Sequence, residues 1–513
     1  MKKKNILSLA LAAVLGFSSC DMDQEPYTSY PVDKYMVNLT QFIDASQGIY
    51  SAVRSITTGA TVLAPEFQTE LFLPTLFFSN TYGDMSSWNM EETNGTAEGV
   101  WGNYYGLISR ANFILDSYQL AVEGKKGEFS KQDLARLKMI AGESYFARAY
   151  AYFNLALFFC DNYDASKADQ QLGLPLQLKY DPSHFADKYP GRSSLADTYK
   201  QVLEDIKHAY ECVSPQDDSS RFKITQDVVK ALDARVALHM KNYDHAIQTS
   251  TSLLAKYQLA ANLNDLRVMW IYDEGTEFIW KLYQNFPYEL GGALGYPFWG
   301  QKQNYVERIR MDFYPSTALL RLYKGNDHRT EVYFVNFPLD HLGAPGAKVK
   351  VFNKYPGNRS FQEAGALSSD NWYTNISKPF GIAEQYLIAV EAYAERNKAD
   401  DLAKGAQLLN TFRASRHQNY QAESYATQDV LRQQVRDERT RELVGEGFHF
   451  FDLKRWKSGF DRTNTTQIDG FESHYPYFNA LKIEAGDYRF VWPIPKAEID
   501  ANPQIKDQQN PGY

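Results

Sequence analysis

Apolar residues recur at helical spacing in several long stretches of this chain. Between Gln132 and Phe159, Tyr145, Ala149, Tyr152 and Ala156 fall on one helical face, and between Phe380 and Arg396 so do Ala383, Leu387, Val390 and Ala394. A spacing of three and four predicts amphipathic or buried helices. Thr225 to Tyr257 predicts a helical hairpin, with Val228, Ala231, Ala234 and Leu238 on one face, a turn at Lys241 and Asn242, and a second helix opening at Tyr243.

Small residues facing small residues let two helices pack closely, and the hairpin resembles a tetratricopeptide unit of about 34 residues. Ala383 to Arg416 offers a second pair, with Leu402, Ala406 and Leu409 on its second helix. Long aromatic-rich segments separate the pairs, so the expected class is mostly α, with helical hairpins interleaved with irregular loops rather than an uninterrupted solenoid. The loops are expected at residues 80–89, 286–300 and 349–375, where turn formers replace any sustained period. Trp270 and Trp280 alternate with apolar neighbours in a strand-like or buried pattern and are assigned to the core.

The N-terminus adds a compartment. Lys2, Lys3 and Lys4 precede an apolar run, Ile6 to Phe17, too short to span a bilayer core of about 30 Å. Residues 1–19 therefore read as a signal peptide. Ser18 and Ser19 before Cys20 resemble a lipoprotein processing site, which would make Cys20 the acylated first residue of the mature protein, and Asp21, Asp23 and Glu25 resemble an acidic export tag. A body held only by lipid is expected beyond it. Cys160 and Cys212 lie in apolar helical contexts and read as buried thiols rather than a disulfide or metal site. The formal net charge is −8 with the basic leader included, which removes any electrostatic reason to bind nucleic acid.

The most specific strings lie near the C-terminus. Arg439-Thr-Arg-Glu-Leu-Val-Gly-Glu-Gly-Phe-His-Phe-Phe-Asp-Leu-Lys-Arg-Trp456 is followed by Tyr488-Arg-Phe-Val-Trp-Pro-Ile-Pro495 and Gln509-Asn-Pro-Gly-Tyr513. Glu438 with Arg441, and Arg439 with Glu442, have ion-pair spacing on a helix that Gly445 and Gly447 could end. The aromatic block behind it reads as packing. Together with Arg110–Leu115, Gly142–Arg148, Arg192–Ser194 and Glu384–Ala389, these strings resemble the SusD/RagB family. The resemblance covers nearly the whole mature chain and implies one SusD-like domain over residues 20–513. It further implies a lipid-anchored protein on the outer face of the outer membrane that captures oligosaccharide for a SusC-like TonB-dependent transporter. Some relatives handle peptides, so a peptide ligand stays open.

A catalyst would need a constellation, and the familiar ones are missing: there is no His-Glu-x-x-His, nucleophile elbow, P-loop, dinucleotide fingerprint or EF-hand loop. His449 and Asp452 read as packing. Paired carboxylates for glycoside cleavage are set by the fold rather than by spacing, so a glycan-cleaving enzyme is the alternative from another class. No cofactor is expected, and a structural calcium is not readable. A sugar ring rests its C–H face on flat aromatics while its hydroxyls meet polar groups. The candidate ligand residues are therefore the loop aromatics Trp88, Tyr82, Tyr288, Tyr296, Trp299 and Trp372, with Asp84 and Asn89 beside Trp88. Binding and anchoring fit Trp88 equally well, whereas anchoring fits Tyr296 and Trp299, which flank Pro297, somewhat better.

Overall fold

A computed structural model describes residues 35–75, 78–183, 185–215, 218–299, 311–338, 348–365, 371–468 and 480–513. The signal segment and Cys20 lie outside them. The longer helices are α1 (Leu39–Ile56), α2 (Ala60–Phe67), α3 (Gly95–Val122), α4 (Lys131–Phe159), α5 (Leu195–Cys212), α6 (Gln226–His239), α7 (Tyr243–Leu254), α8 (Leu263–Ile271), α9 (Ile382–Arg396), α10 (Asp401–Ala414), α11 (Gln428–Leu443) and α12 (His449–Trp456). The mostly helical class read from the sequence is what is observed, and none of these helices is long and apolar enough to cross a membrane.

Local chemistry sets the helix starts. Asn38, Asn94, Ser194 and Asn262 each accept a backbone N–H of the first turn, and Ser130 with Asp133 forms a capping box at α4. The two expected hairpins are α6–α7 and α9–α10. Ala234, Ala237, Ala246 and Ala392 form one buried cluster with Leu238, Ile247 and Ile388, so α6, α7 and α9 approach through small side chains. A buried Arg148–Asp205 pair, 2.7 Å, ties α4 to α5.

The aromatic-rich segments build a second core. Phe72–Pro74 pairs antiparallel with Phe313–Pro315, and Phe334–Pro338 with Lys348–Phe352. Beneath these short strands the Phe67 and Phe313 rings stack at 3.7 Å, with Phe72, Phe298 and Phe352 around them. Trp270 and Trp280 are buried as expected, but Trp270 sits on α8 and only Phe278–Trp280 is a strand. Residues 349–375 are likewise not all loop: they hold most of the strand Lys348–Phe352 and the short helix Arg359–Glu363.

The C-terminal signature is a charge network as much as a hydrophobic block. Glu438 accepts from Arg329, Arg413 and Arg441, and Glu442 from Arg329 and Arg416, all buried. Glu438 and Arg441 pair as their spacing predicts. Arg439 does not reach Glu442; it pairs with Asp452 on α12 and Glu391 on α9. Burial alone would raise the carboxyl of Glu442, but Arg416 and Arg329 outweigh it and hold it at about 2; Arg439 and Arg455 do the same for Asp452. The helix stops at Leu443, and Gly445 and Gly447 follow with φ of 78° and 82°. A Cβ at Gly445 would lie 2.7 Å from the Phe352 ring.

The last residues close the first core. Lys454 donates to the carbonyls of Leu157 and Cys160, Trp492 N to Phe158 O, and Asn510 Nδ2 to Phe159 O. The carbonyl end of α4 is thus satisfied by the C-terminal segment. Cys160 is buried and Cys212 half-buried, both as free thiols.

Candidate functional site

Two loop segments that meet in space carry a group of accessible aromatics. The first, 281–299, leaves the strand Phe278–Trp280 in an extended form, with Leu282 N donating to Ser377 O, and then turns at Asn285, whose carbonyl accepts from Tyr288 N at 2.7 Å. Arg54 from α1 clamps it, donating to Tyr283 O at 2.7 Å and pairing with Glu289 at 3.3 Å. Close approach requires glycine here: a Cβ at Gly292 would lie 2.2 Å from Thr58 O, and one at Gly295 2.1 Å from Tyr355 O.

The second segment, 355–376, is tied by a buried carboxylate. Asp273, with no exposed surface and φ of 56°, accepts from Asn358 Nδ2 (2.7 Å), Asn375 Nδ2 (3.0 Å), Ile376 N (2.8 Å) and Lys378 Nζ (2.5 Å). Gln284 Nε2 donates across to Asn375 O. Gln362 Nε2 donates to Pro356 O and Trp372 O, which fixes the short helix bearing Phe361.

The two segments meet at Phe286 and Phe361, whose rings stack at 5.0 Å and 9°. Tyr288 stands 86% exposed and Tyr283 58% exposed, and Trp372 is half-buried on the second segment. Of the aromatics read from the sequence, Tyr288 and Trp372 therefore lie on this surface. Tyr283, Phe286 and Phe361 were not singled out: Tyr283 ends an apolar strand-like run, and Phe361 is one aromatic in a polar stretch.

The remaining candidates are anchored. Trp88 is corrected outright: it is 2% exposed, its Nε1 donates to Gln68 O at 2.6 Å, and Phe450, Phe460 and Phe490 surround it within 6 Å. With Arg489 over the indole at 5.5 Å, no face is left for a sugar. Asp84 and Asn89 are exposed, but on a turn that this anchor pins to the C-terminal segment, with Asn89 N donating to Asp84 O. Tyr82 is half-buried, its ring 5.7 Å from Phe67. Trp299 stacks on Tyr373 at 6.0 Å, and Tyr296 opens the same short helix half-buried.

Cavities differ in size: an open groove between α5, α6 and α7, lined by Leu203, Tyr210, Asp233 and His245 among others, holds about 560 Å³, whereas the core is tighter. A crevice between α4, α6 and the second core, lined by Tyr104, Arg235, His239 and Glu446 among others, holds about 100 Å³, which suits a few waters rather than an oligosaccharide. His449, paired with Glu70 at 3.0 Å, and Asp452 are both buried in structural ion pairs. Among the described residues no group of three His, Cys, Asp or Glu is arranged to hold a metal.

Comparison with known proteins adds to this geometry. Residues 293–513 match the model described as SusD family, and residues 22–238 match one described as starch-binding associating with outer membrane. A SusD-like protein of Formosa agariphila is 24% identical over 466 residues, covering 84% of this chain and 82% of its own. Among solved structures, a SusD superfamily protein from Bacteroides thetaiotaomicron superposes with a TM-score of 0.76 at 24% identity, covering 93% of this chain and all of that one. A SusD-like carbohydrate binding protein from Bacteroides vulgatus gives 0.70 at 18% identity, covering 91% and 97%. These structures share the fold.

Proposed function

Because the chain belongs to the SusD family, whose members are generally carbohydrate-binding proteins of the outer membrane, we propose that it captures an oligosaccharide and delivers it to a SusC-like TonB-dependent transporter. A lipid on Cys20 tethers it at the cell surface in this reading. The observation that carries it is the surface of Tyr283, Phe286, Tyr288, Phe361 and Trp372. Tyr283 and Tyr288 face solvent and Phe286, Phe361 and Trp372 are half-buried, on two segments that Arg54 and Asp273 tie down. Preordered flat rings suit the C–H faces of sugars, because little freedom is lost when the ligand arrives.

A binding role also fits the carboxyl groups. Burial pushes Glu66 up to about 7, in the range of a general acid, yet the group has no exposed surface and faces Gly447 N and His449. The test is titration of the purified protein against oligosaccharides and peptides, with product analysis. Oligosaccharide binding without turnover, weakened about tenfold by Tyr288→Ala or Phe361→Ala, is the expected result. Binding of peptides alone would replace the ligand class, and steady release of shorter saccharides, abolished by one carboxylate substitution, would make the protein a glycosidase.

A further inference from the structure

The glycan surface has a charged edge that the reading above does not use. Along 281–285 burial alternates: Leu282 and Gln284 point inward, while Lys281 is half-buried and Tyr283 and Asn285 are exposed. Lys281 and Tyr283 thus share one side of an extended segment, and Phe222 joins them, its ring centroid 5.1 Å from Lys281 Nζ and 5.4 Å from the Tyr283 ring. The Phe278 ring centroid lies 5.5 Å from the same ammonium.

What this ammonium lacks is a counter-ion. Among the described residues its one hydrogen bond runs to the carbonyl of Asp273 at 3.0 Å, and no carboxylate of theirs lies within ion-pair distance of it. The other enclosed lysines are provided for: Lys354 has Glu446 at 2.5 Å, Lys378 has the Asp273 carboxylate at 2.5 Å, and Lys454 has two helix-end carbonyls. The charges facing Lys281 are Lys378, Asp273, Glu274 and Arg221. Lys378 engages Asp273, and Glu274 is exposed to water. Burial first, and then Lys378, lowers the pKa of Lys281, as expected for a cation short of negative charge.

We propose that Lys281, walled by Phe222 and Phe278 and flanked by the Tyr283 ring, forms a subsite for an anionic substituent of the captured glycan, a uronate carboxylate or a sulfate ester. An ammonium with one hydrogen bond made has two donors left for oxyanion oxygens. Two rings within 6 Å take the place of part of the water around this half-buried ammonium, which strengthens the charge–charge attraction relative to an open surface. A neutral hydroxyl would leave the charge uncompensated. This proposal rests on the glycan-capture reading.

The experiment titrates the full-length protein with two matched pairs: a trigalacturonate against its methyl ester, and a sulfated galactan oligosaccharide against its desulfated parent. The charged member of at least one pair should bind about tenfold more tightly, and the preference should shrink between about 50 mM and about 500 mM NaCl. Whichever pair shows it identifies the anion as carboxylate or sulfate. Lys281→Gln should erase the preference while neutral binding stays within about twofold, and Lys281→Arg should keep it. Equal binding of charged and neutral partners by the wild-type protein, or a preference that survives Lys281→Gln, overturns the subsite and leaves glycan capture standing. No binding of any member overturns both. Where Lys281→Gln fails to fold, Lys281→Met, which keeps the aliphatic stem and removes the charge, takes its place, and a preference that survives it overturns the subsite.

Discussion

Replacing Trp88 with alanine separates an anchor from a platform. The indole is nearly fully buried against Phe450, Phe460 and Phe490. A tryptophan buries about 250 Å² at most, worth about 6 kcal/mol at 25 cal/mol per Å², and measured truncations of this kind cost about 3–5 kcal/mol. The lost Nε1 donor adds about 1 kcal/mol by leaving Gln68 O unpaired. We expect a loss of about 4–6 kcal/mol. Unfolding entropy of about 2.1 cal/mol/K per residue gives about 1 kcal/mol/K for a chain of this length, so the midpoint should fall by about 4–6 °C in calorimetry. Affinity for a bound oligosaccharide, measured by titration below that midpoint, should change less than about twofold, because Tyr288 and Phe361 sit on other segments. A melting temperature unmoved within a degree or so, together with a tenfold loss of affinity, would refute the reasoning and return Trp88 to the ligand.

Three further outcomes are expected. Arg416→Met leaves Glu442 and Glu277 buried short of a cation and should cost about 3–5 kcal/mol in urea denaturation; a change under about 1 kcal/mol would show that the network is not coupled. Glu66 keeps its proton up to about pH 7 when folded and loses it near 4.5 when unfolded, so its contribution to stability is fully present below pH 4.5 and is lost as pH rises through 7. Relative to wild type, Glu66→Gln should therefore gain up to about 3 kcal/mol between pH 5 and pH 8, and the comparison between variants cancels the opposite titration of His239 and His417; a pH-independent difference would argue against it. Cys20→Ala should leave the protein unlipidated and lost from the outer membrane; retained fatty-acid labelling would dispose of the anchor assignment.

The helices were legible because their period is local: α4, α6, α7, α9 and α10 all follow runs of three and four. The second core was not, since its strands are at most five residues long and pair segments such as 72–74 and 313–315 that lie far apart in sequence. Charge spacing on α11 identified Glu438 with Arg441 but not Arg329, Arg413 or Arg416, which arrive from other elements. Trp88 stayed open between ligand platform and anchor for the same reason. Its sequence neighbours are polar, and the rings that enclose it come from beyond residue 449. At the proposed ligand surface, Tyr288 in a turn carried a signal, whereas the half-buried Phe361 is placed by Gln362, Asn358 and Asp273.

The closure of α4 by Lys454, Trp492 and Asn510 has a consequence in time. A ribosome releases the chain from its N-terminus, so the long helices are made well before the residues that satisfy their carbonyl ends and before the carboxylates of Glu438, Glu442 and Asp452 that neutralise arginines from earlier elements. Until those residues emerge, the nascent chain has no complete set of partners to bury, and non-local contacts of this kind form late. These contacts can be completed only once the C-terminal residues have been made. For a chain exported under the signal peptide expected at residues 1–19, that order of synthesis is useful, since an unfinished core leaves the polypeptide open enough to be threaded through a secretion channel.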